Sequence, residues 1–181
     1  VETYFDSLIG SITLLDESRT IRKKTISPQL PEEYYLPLLN LKIGEGRGTC
    51  GTAAFRKEIV IVSDIQTDPL WKDYKDRAAQ FQLAACWAIP ILSNKQEVLG
   101  TFAGYYRQKR RPSTFELELL TRVAYIISTI VVENENDEKL KDSREKIRTL
   151  YNDTPSIFFS LDKNKTIISV NEFGANSLGR K

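Results

Sequence analysis

The feature that most constrains this chain is a pair of strand-like runs joined by a short polar turn. Residues 85–92 read ACWAIPIL, residues 93–97 read SNKQE, and residues 98–108 read VLGTFAGYYRQ. So short a connection closes two strands as an antiparallel hairpin, because a parallel return needs a crossover of about a dozen residues or more. An earlier segment repeats the pattern. Residues 9–16 (IGSITLLD) are rich in β-branched side chains, 16–19 supply turn residues, and 20–27 form the antiparallel partner, ended by Pro28 and Pro31. The fold must accommodate strands that pair with their sequence neighbours.

The segments between and after the hairpins read as short helices, one further strand and a long helix. A short helix or turn is expected around residues 32–39, a glycine-rich loop at the start of GEGRGTCGTAAFR (44–56), and a short helix over 52–57. Residues 58–64 (EIVIVSD) form a near-continuous apolar strand, and 65–68 a turn. Pro69 suits a first helical position with Asp68 as its cap. The spacing of Trp71, Tyr74, Ala78 and Phe81 predicts a helix over 70–81 with these residues on one side. After the basic loop 107–111, Ser113 and Glu116 have the spacing of a capping box. A helix follows through Val123, Ile127 and Val131 and continues through the charged stretch 133–146 to about residue 150, with Pro155 as its stop. Residues 156–161 and 166–170 are short strands around a turn at 162–165, and 1–7 read as the end of a helix whose start is cut away. The class is α+β: an antiparallel β-sheet flanked by helices, with a long C-terminal helix.

Composition removes several chemistries. The chain has 181 residues and no histidine, which excludes Ser-His-Asp and Cys-His catalysis and His-ligated metal within it. Lys and Arg total 26 against 24 for Asp and Glu, a net charge of +2 that gives no reason to expect nucleic acid or an anionic membrane as partner. Its two cysteines, Cys50 and Cys86, cannot make a four-cysteine zinc site and suit a reducing cytoplasm. No apolar run reaches the roughly 18 residues of a membrane span, and no cleavable signal opens the chain. There is no methionine, not even at position 1, so we read a piece of a longer protein or a sequence written without its methionines.

The residues that could carry chemistry are few. The string GEGRGTCG lacks the Gly-Lys-Ser/Thr ending of a phosphate-binding loop, and its glycines are read as turn formers. Cys50 stands at an expected helix N-terminus, where a thiol pKa falls. With no histidine available, a thiolate would need Arg47, Arg56 or a lysine beside it. Cys86 lies in an apolar strand, and a buried small residue is the plain reading of both cysteines. Trp71, Tyr74, Phe81, Trp87, Phe102, Tyr105 and Tyr106 are concentrated in one stretch and form either a core or the wall of a pocket for a flat ligand. Asp64 could anchor such a ligand, whereas Asp68 fits a turn or cap. The pocket candidates are therefore Cys50, Asp64, Trp71, Tyr74, Cys86, Trp87 and Tyr105, with no catalytic or metal-binding residue. On the long helix, Ile126, Leu140, Ile147 and Leu150 fit one heptad seam, interrupted by Glu133, Asn136 and Ser143. This is a weakened coiled coil, of the kind able to hold two nearly equal registers.

Four strings in order, GEGRGTCGTAAFR (44–56), VSDIQTDPLW (62–71), ACWAIPIL (85–92) and LGTF (99–102), resemble a bacterial GAF domain over residues 1–132, with the family's first helix mostly absent. The subtype resembled is that of sensor histidine kinases and cyclic-di-GMP enzymes. Residues 133–153 resemble a signalling linker helix. Residues 154–181, with IFFSLD (157–162) and VN (170–171), resemble the opening of an incomplete PAS domain. The resemblance implies a sheet of six strands or so, terminal helices on one face, and a small-molecule pocket on the other, closed by the segments holding Cys50 and Trp71. The ligand stays unknown. No bilin attachment is expected, because Trp87 follows Cys86 where bilin-binding relatives have histidine, and the cyclic-nucleotide signature is missing.

Taken together, the expectation is a cytoplasmic, non-enzymatic sensory fragment of a signal-transduction protein, with a two-component sensor histidine kinase and its phosphorelay as the leading reading. It would act as a homodimer through the 114–150 helix, upstream of PAS and output domains. A diguanylate cyclase or phosphodiesterase is the alternative output. A thiol enzyme of the free methionine-(R)-sulfoxide reductase type is the alternative of another class. That family shares the stretch matched by Gly48 to Ala53 but needs a further cysteine where this chain has DIQTDPLWKD (64–73).

Overall fold

The two hairpins lie side by side, joined through the first strand of one and the second strand of the other. In the computed structural model, which describes residues 8–179, β1 (Ile9–Leu15) pairs with both β2 (Arg22–Ile26) and β5 (Val98–Tyr106), and β5 pairs with β4 (Ala85–Leu92). The strand β3 (Val60–Val62) adds to the outer edge of β4. All pairings are antiparallel, in the order β2-β1-β5-β4-β3. That is five strands among the described residues, against the six or so implied by the family resemblance. The helix end expected over residues 1–7 lies outside the described residues.

Register divides the sheet into two faces. Ile9 opposes Tyr105, Ser11 opposes Ala103, and Cys86 opposes Tyr105 from the other side. These residues share one face, since alternate residues of a strand point the same way. There they meet Tyr34, Ala53, Val62, Ile65, Trp71 and Ala78 in one buried cluster. The opposite face carries Leu8, Ala85, Trp87, Ile89, Phe102 and Tyr106, packed against Leu120 and Ala124 of the long helix. The central strands β4 and β5 are thus covered on both sides, which explains why their sequences run apolar without alternation.

Several boundaries differ from the sequence reading. The second strand begins at Arg22 rather than residue 20, because the Asp16 carboxylate accepts from the backbone N–H groups of Thr20 and Ile21 and draws them into the turn. The segment at 32–39 is a one-turn helix, α1 (Glu32–Tyr35), followed by a 3-10 turn at Leu36–Leu38. The next helix, α2 (Gly48–Arg56), starts four residues before the expected 52 and consumes half of the glycine loop. Gly48, at φ +68°, turns the chain into it. A β-carbon on Gly51 would run into the Arg22 guanidinium, so this glycine is what lets α2 lie close over the sheet. The strand expected over 58–64 pairs only at Val60–Val62. The single helix expected over 70–81 is split into a 3-10 turn (Pro69–Trp71) and α3 (Lys75–Gln80). The break lets Trp71 reach inward to α2, described below. Asp68 does cap this segment, accepting from the Leu70 N–H at 2.9 Å.

The helix α4 (Thr114–Asp153) begins with the expected capping box. The Ser113 hydroxyl accepts from the Glu116 N–H at 3.2 Å, and the Ser113 N–H donates back to the Glu116 carboxylate at 2.7 Å. Arg110 also donates to that carboxylate, while its guanidinium lies over Trp87 and Tyr106, 5.3 and 4.6 Å from their ring centres. The start of α4 is thereby pinned to the sheet face it covers. No helix among the described residues is long and apolar enough to cross a membrane.

By contact density the chain divides into units 1–132 and 133–181. The second unit holds a hairpin of β6 (Phe159–Leu161) and β7 (Ile167–Val170), shorter than the expected strands, and α5 (Glu172–Ser177). Its organising residue is the fully buried Asn171, whose amide donates to the Tyr151 and Ser156 carbonyls at 2.7 and 2.9 Å. The amide oxygen accepts from the Phe158 and Gly174 N–H groups at 3.0 and 3.1 Å.

Replacing Glu116 by Ala removes a cap and leaves Arg110 without its carboxylate. With Arg110 partly exposed, the expected cost is about 2 kcal/mol, readable in urea unfolding. Phe115→Ser, at a position 69% exposed, should leave stability nearly unchanged.

Candidate functional site

On the face of the sheet away from α4, the helices do not close completely over the strands. A cavity of about 20 Å³, space for about one water, lies between the first turn of α2, the 3-10 turn at Pro69–Trp71, α1 and the sheet. Its wall includes Arg22, Tyr34, Arg47, Thr49, Cys50, Trp71, Tyr74, Arg77 and Tyr105. A second space of about 20 Å³ adjoins it along β1 and β2, sharing Arg22, Tyr34, Leu38, Cys50 and Tyr105.

Local structure explains how each wall residue arrives there. Arg22 is the first residue of β2; its N–H donates to the Leu41 carbonyl and its own carbonyl accepts from Asn40, which fixes it between two chain segments. It is buried, and one guanidinium nitrogen donates to the Arg47 carbonyl at 2.6 Å. Tyr34, fully buried in α1, stands edge-on to Phe81 and Tyr105. Its hydroxyl lies beside that of Tyr105 but completes no hydrogen bond. Trp71 stands edge-on to Tyr105, and its indole N–H donates to the Thr49 hydroxyl at 2.7 Å, joining the 3-10 turn to α2 across the cavity. Arg77 donates to the Glu33 carbonyl at 2.8 Å and joins α3 to α1 in the same way.

Among the seven residues singled out from sequence, the structure brings Cys50, Trp71, Tyr74 and Tyr105 to the cavity wall. Cys86 is on the same face of the sheet but fully buried beneath Cys50. Two expectations are corrected. Trp87 is one position out of phase and points to the opposite face, its ring tilted against Tyr106 with centres 4.5 Å apart under α4. Asp64 is not in the wall; its carboxylate pairs with Lys109 at 2.7 Å, and that ammonium holds its pKa below the usual range. The aromatic cluster read as a single group is likewise divided, with Phe102 and Tyr106 on the α4 side. Arg22, Tyr34, Thr49 and Arg77 were missed. Arg22 sits in the run RKK (22–24), where three cations look alike until pairing turns the first inward.

The thiols are free and unequal. Cys50 is held below the usual cysteine range: the Cys86 thiol donates to it, the Arg22 charge favours its thiolate, and the Tyr105 hydroxyl stands 3.7 Å from its sulfur. Cys86 is pushed up, first by burial and then by the charge on Cys50. The cation that serves Cys50 is Arg22, rather than the Arg47 or Arg56 named from sequence; Arg56 is engaged with Glu45. Tyr105 and Tyr34 are also pushed up, chiefly by burial, so both keep their protons and can donate.

An antiparallel sheet with a helix on one face and a partly covered cavity on the other defines a small domain of the α+β class. The family profile described as "GAF domain" matches residues 1–132, and the chain belongs to that family. It is 30% identical over 173 residues to the methyl sulfide methyltransferase-associated sensor of Methanosarcina acetivorans. The match takes in 95% of this chain but only 17% of that relative, so the chain spans about a sixth of the relative's length. Among solved structures, a domain described as that of a two-component sensor histidine kinase protein from Sinorhizobium meliloti superposes with a TM-score of 0.62 at 17% identity. That alignment covers 77% of this chain and 88% of the other. The reduced form of fRMsr of Staphylococcus aureus aligns with a TM-score of 0.53 at 18% identity, over 69% of this chain and 72% of that one. These two likenesses concern the fold.

Because the thiolate is the nucleophile, lowering its pKa shifts the alkylation profile of Cys50 towards acid. Iodoacetamide should modify Cys50 with a midpoint below the ~8.5 of an ordinary thiol, while Cys86 stays unmodified in the folded protein; mass spectrometry of quenched samples distinguishes the two. Thr49→Val leaves the Trp71 indole N–H unpaired and should cost about 1–2 kcal/mol of stability in thermal or urea unfolding.

Proposed function

We propose that this chain is the sensory part of a larger signal-transduction protein, in which occupancy of the cavity biases α4 and α4 passes that bias to an output domain. One observation carries the reading. The cavity and the first turns of α4 lie on opposite faces of the same strands, β4 and β5. Cys86 and Tyr105 are wall or underlay on one side, and their immediate neighbours Trp87 and Tyr106 support α4 on the other. A close-packed sheet cannot yield on one face without moving side chains on the other. A ligand then shifts the helix by the difference in its affinity for two arrangements.

The sensor named among the relatives and the histidine-kinase domain among the structural neighbours support a two-component sensor histidine kinase as the whole protein. Residues 133–153 then act as a linker, and 154–181 as the opening of a PAS domain. The hairpin of this last segment leaves Phe159, Leu161, Ile167 and Ile168 each about half exposed or more, as strands awaiting further chain to cover them would. Dimerisation would run along α4, where Ile126, Leu140, Ile147 and Leu150 of the heptad seam are all exposed.

Two measurements test this. Filling the cavity by alkylating Cys50 with N-ethylmaleimide should change amide hydrogen exchange in residues 114–132, with treated Cys50→Ser protein as control; an unmoved helix overturns the coupling. Light scattering on the 1–181 chain should give a dimer that Leu140→Asp with Ile147→Asp converts to monomer, and a strictly monomeric parent chain overturns the seam.

A further inference from the structure

The cavity wall carries three arginines and no carboxylate. Arg22 is 7% exposed and spends its guanidinium on one backbone carbonyl. Among the described residues the ion pairs join Arg56 to Glu45, Lys109 to Asp64 and Arg110 to Glu116, so none engages Arg22, Arg47 or Arg77. Asp73 acts on the exposed Arg47, and the Tyr74 hydroxyl hydrogen-bonds it. A buried cation is costly unless acceptors or negative charge meet it, and one placed beside two others is more so. Two further features add to the same sign. Gly48, Thr49 and Cys50, the first turn of α2, line the cavity, and no side chain caps that helix end or places an acid in its first turn. The Tyr34 hydroxyl, 99% buried by its 1% exposure, lies in the wall with no partner. Helix N–H groups, guanidinium forks and an unpaired phenol are donors together, and the site offers few acceptors in return.

The one wall group that can supply negative charge beside Arg22 is the Cys50 thiol, whose ionised form that guanidinium favours. It is one soft charge against three hard donors.

We propose that the cavity recognises a small organic anion, a carboxylate or a phosphate on a flat or apolar body. Arg22, Arg47 and Arg77 hold the head group, with the first turn of α2 and the Tyr34 hydroxyl as further donors. This names the ligand class for the sensing site proposed above and rests on that reading. The enclosed space is about one water in size, so the head group enters as the covering segments part. The body lies outward along Trp71 and Tyr74, and Arg77 exchanges its bond to the Glu33 carbonyl for one to the ligand. That exchange releases α3 from α1, which supplies the differential contact that a switch requires.

The probes are benzoate, phenyl phosphate and the neutral benzamide, titrated calorimetrically into the 1–181 chain. At least one anion should bind about tenfold or more tightly than benzamide, as charge-assisted bonds from several donors require, and the tighter anion identifies the head group. Arg47→Gln and Arg77→Gln lie at exposed and half-buried positions and should keep the fold. Each should weaken the anion severalfold while leaving benzamide unchanged. Saturating anion should also slow iodoacetamide at Cys50, because the ligand takes the Arg22 charge from the thiolate. Equal affinity for anion and amide overturns the proposal, as does the absence of anion binding, or anion binding indifferent to both substitutions. Should the anions fail while maleimide at Cys50 still alters exchange in 114–132, the ligand class falls and the sensory reading stands. Anion binding with an unresponsive helix gives the reverse.

Discussion

The register of β4 against β5 is the constraint on which the rest depends. It pairs Cys86 with Tyr105 and Trp87 with Gly104, and so sends one thiol and one phenol to the cavity while the neighbouring indole goes to the helix side. A slip of one residue would exchange the faces wholesale, placing Trp87 among the arginines and Cys86 under α4. The register is held from both sides. On one face Tyr105 meets Tyr34 and Trp71 edge-on; on the other Trp87 and Tyr106 lie tilted against each other beneath Arg110. A β-carbon on Gly104 would come within 2.6 Å of the Leu8 side chain, so glycine at this position is what leaves Leu8 its place on the α4 face beside Trp87.

From that register two unlike environments follow. The α4 side is apolar, with the ion pair of Arg110 and Glu116 at the point where the helix starts. The cavity side is a mixed surface of aromatic edges and cations, covered by elements too short to be stable alone: a single turn at Glu32–Tyr35, 3-10 turns, and the six-residue α3. These pieces are joined by single hydrogen bonds, Trp71 to Thr49 and Arg77 to Glu33. The two sides are thus covered differently, one by a single long helix and the other by several short segments that share the apolar cluster around Tyr34, Trp71 and Ala78. Short segments open locally at least cost, and the covering of the cavity is built from such segments over a shared apolar cluster.

Much of the architecture was legible in the sequence. Both hairpins, the long helix, its capping box at Ser113 and Glu116, and the cap at Asp68 follow from local rules that need only neighbouring residues. The misreadings share one cause. The glycines at 48 and 51 look like a loop, and the spacing from Trp71 to Phe81 looks like one helix, until distant partners intervene. The start of α2 is fixed by its packing over Arg22, which lies 29 positions before Gly51 in the chain, and the break in the second helix by the reach of Trp71 to Thr49. Propensity describes what a segment prefers alone, and such contacts override it.

By itself the sequence determined the order of the elements, their antiparallel pairing and the absence of histidine chemistry, because periodicity, turns and composition are local properties. Which side chains share a site was decided by the tertiary structure. Arg22, Arg47 and Arg77 come from three separate segments, and nothing in their spacing predicts that they surround one space. Asp64 and Trp87 sit in the expected stretches of chain yet face elsewhere. Strand phase and helix placement set the direction of a side chain, and these are settled only when the whole sheet has chosen its register.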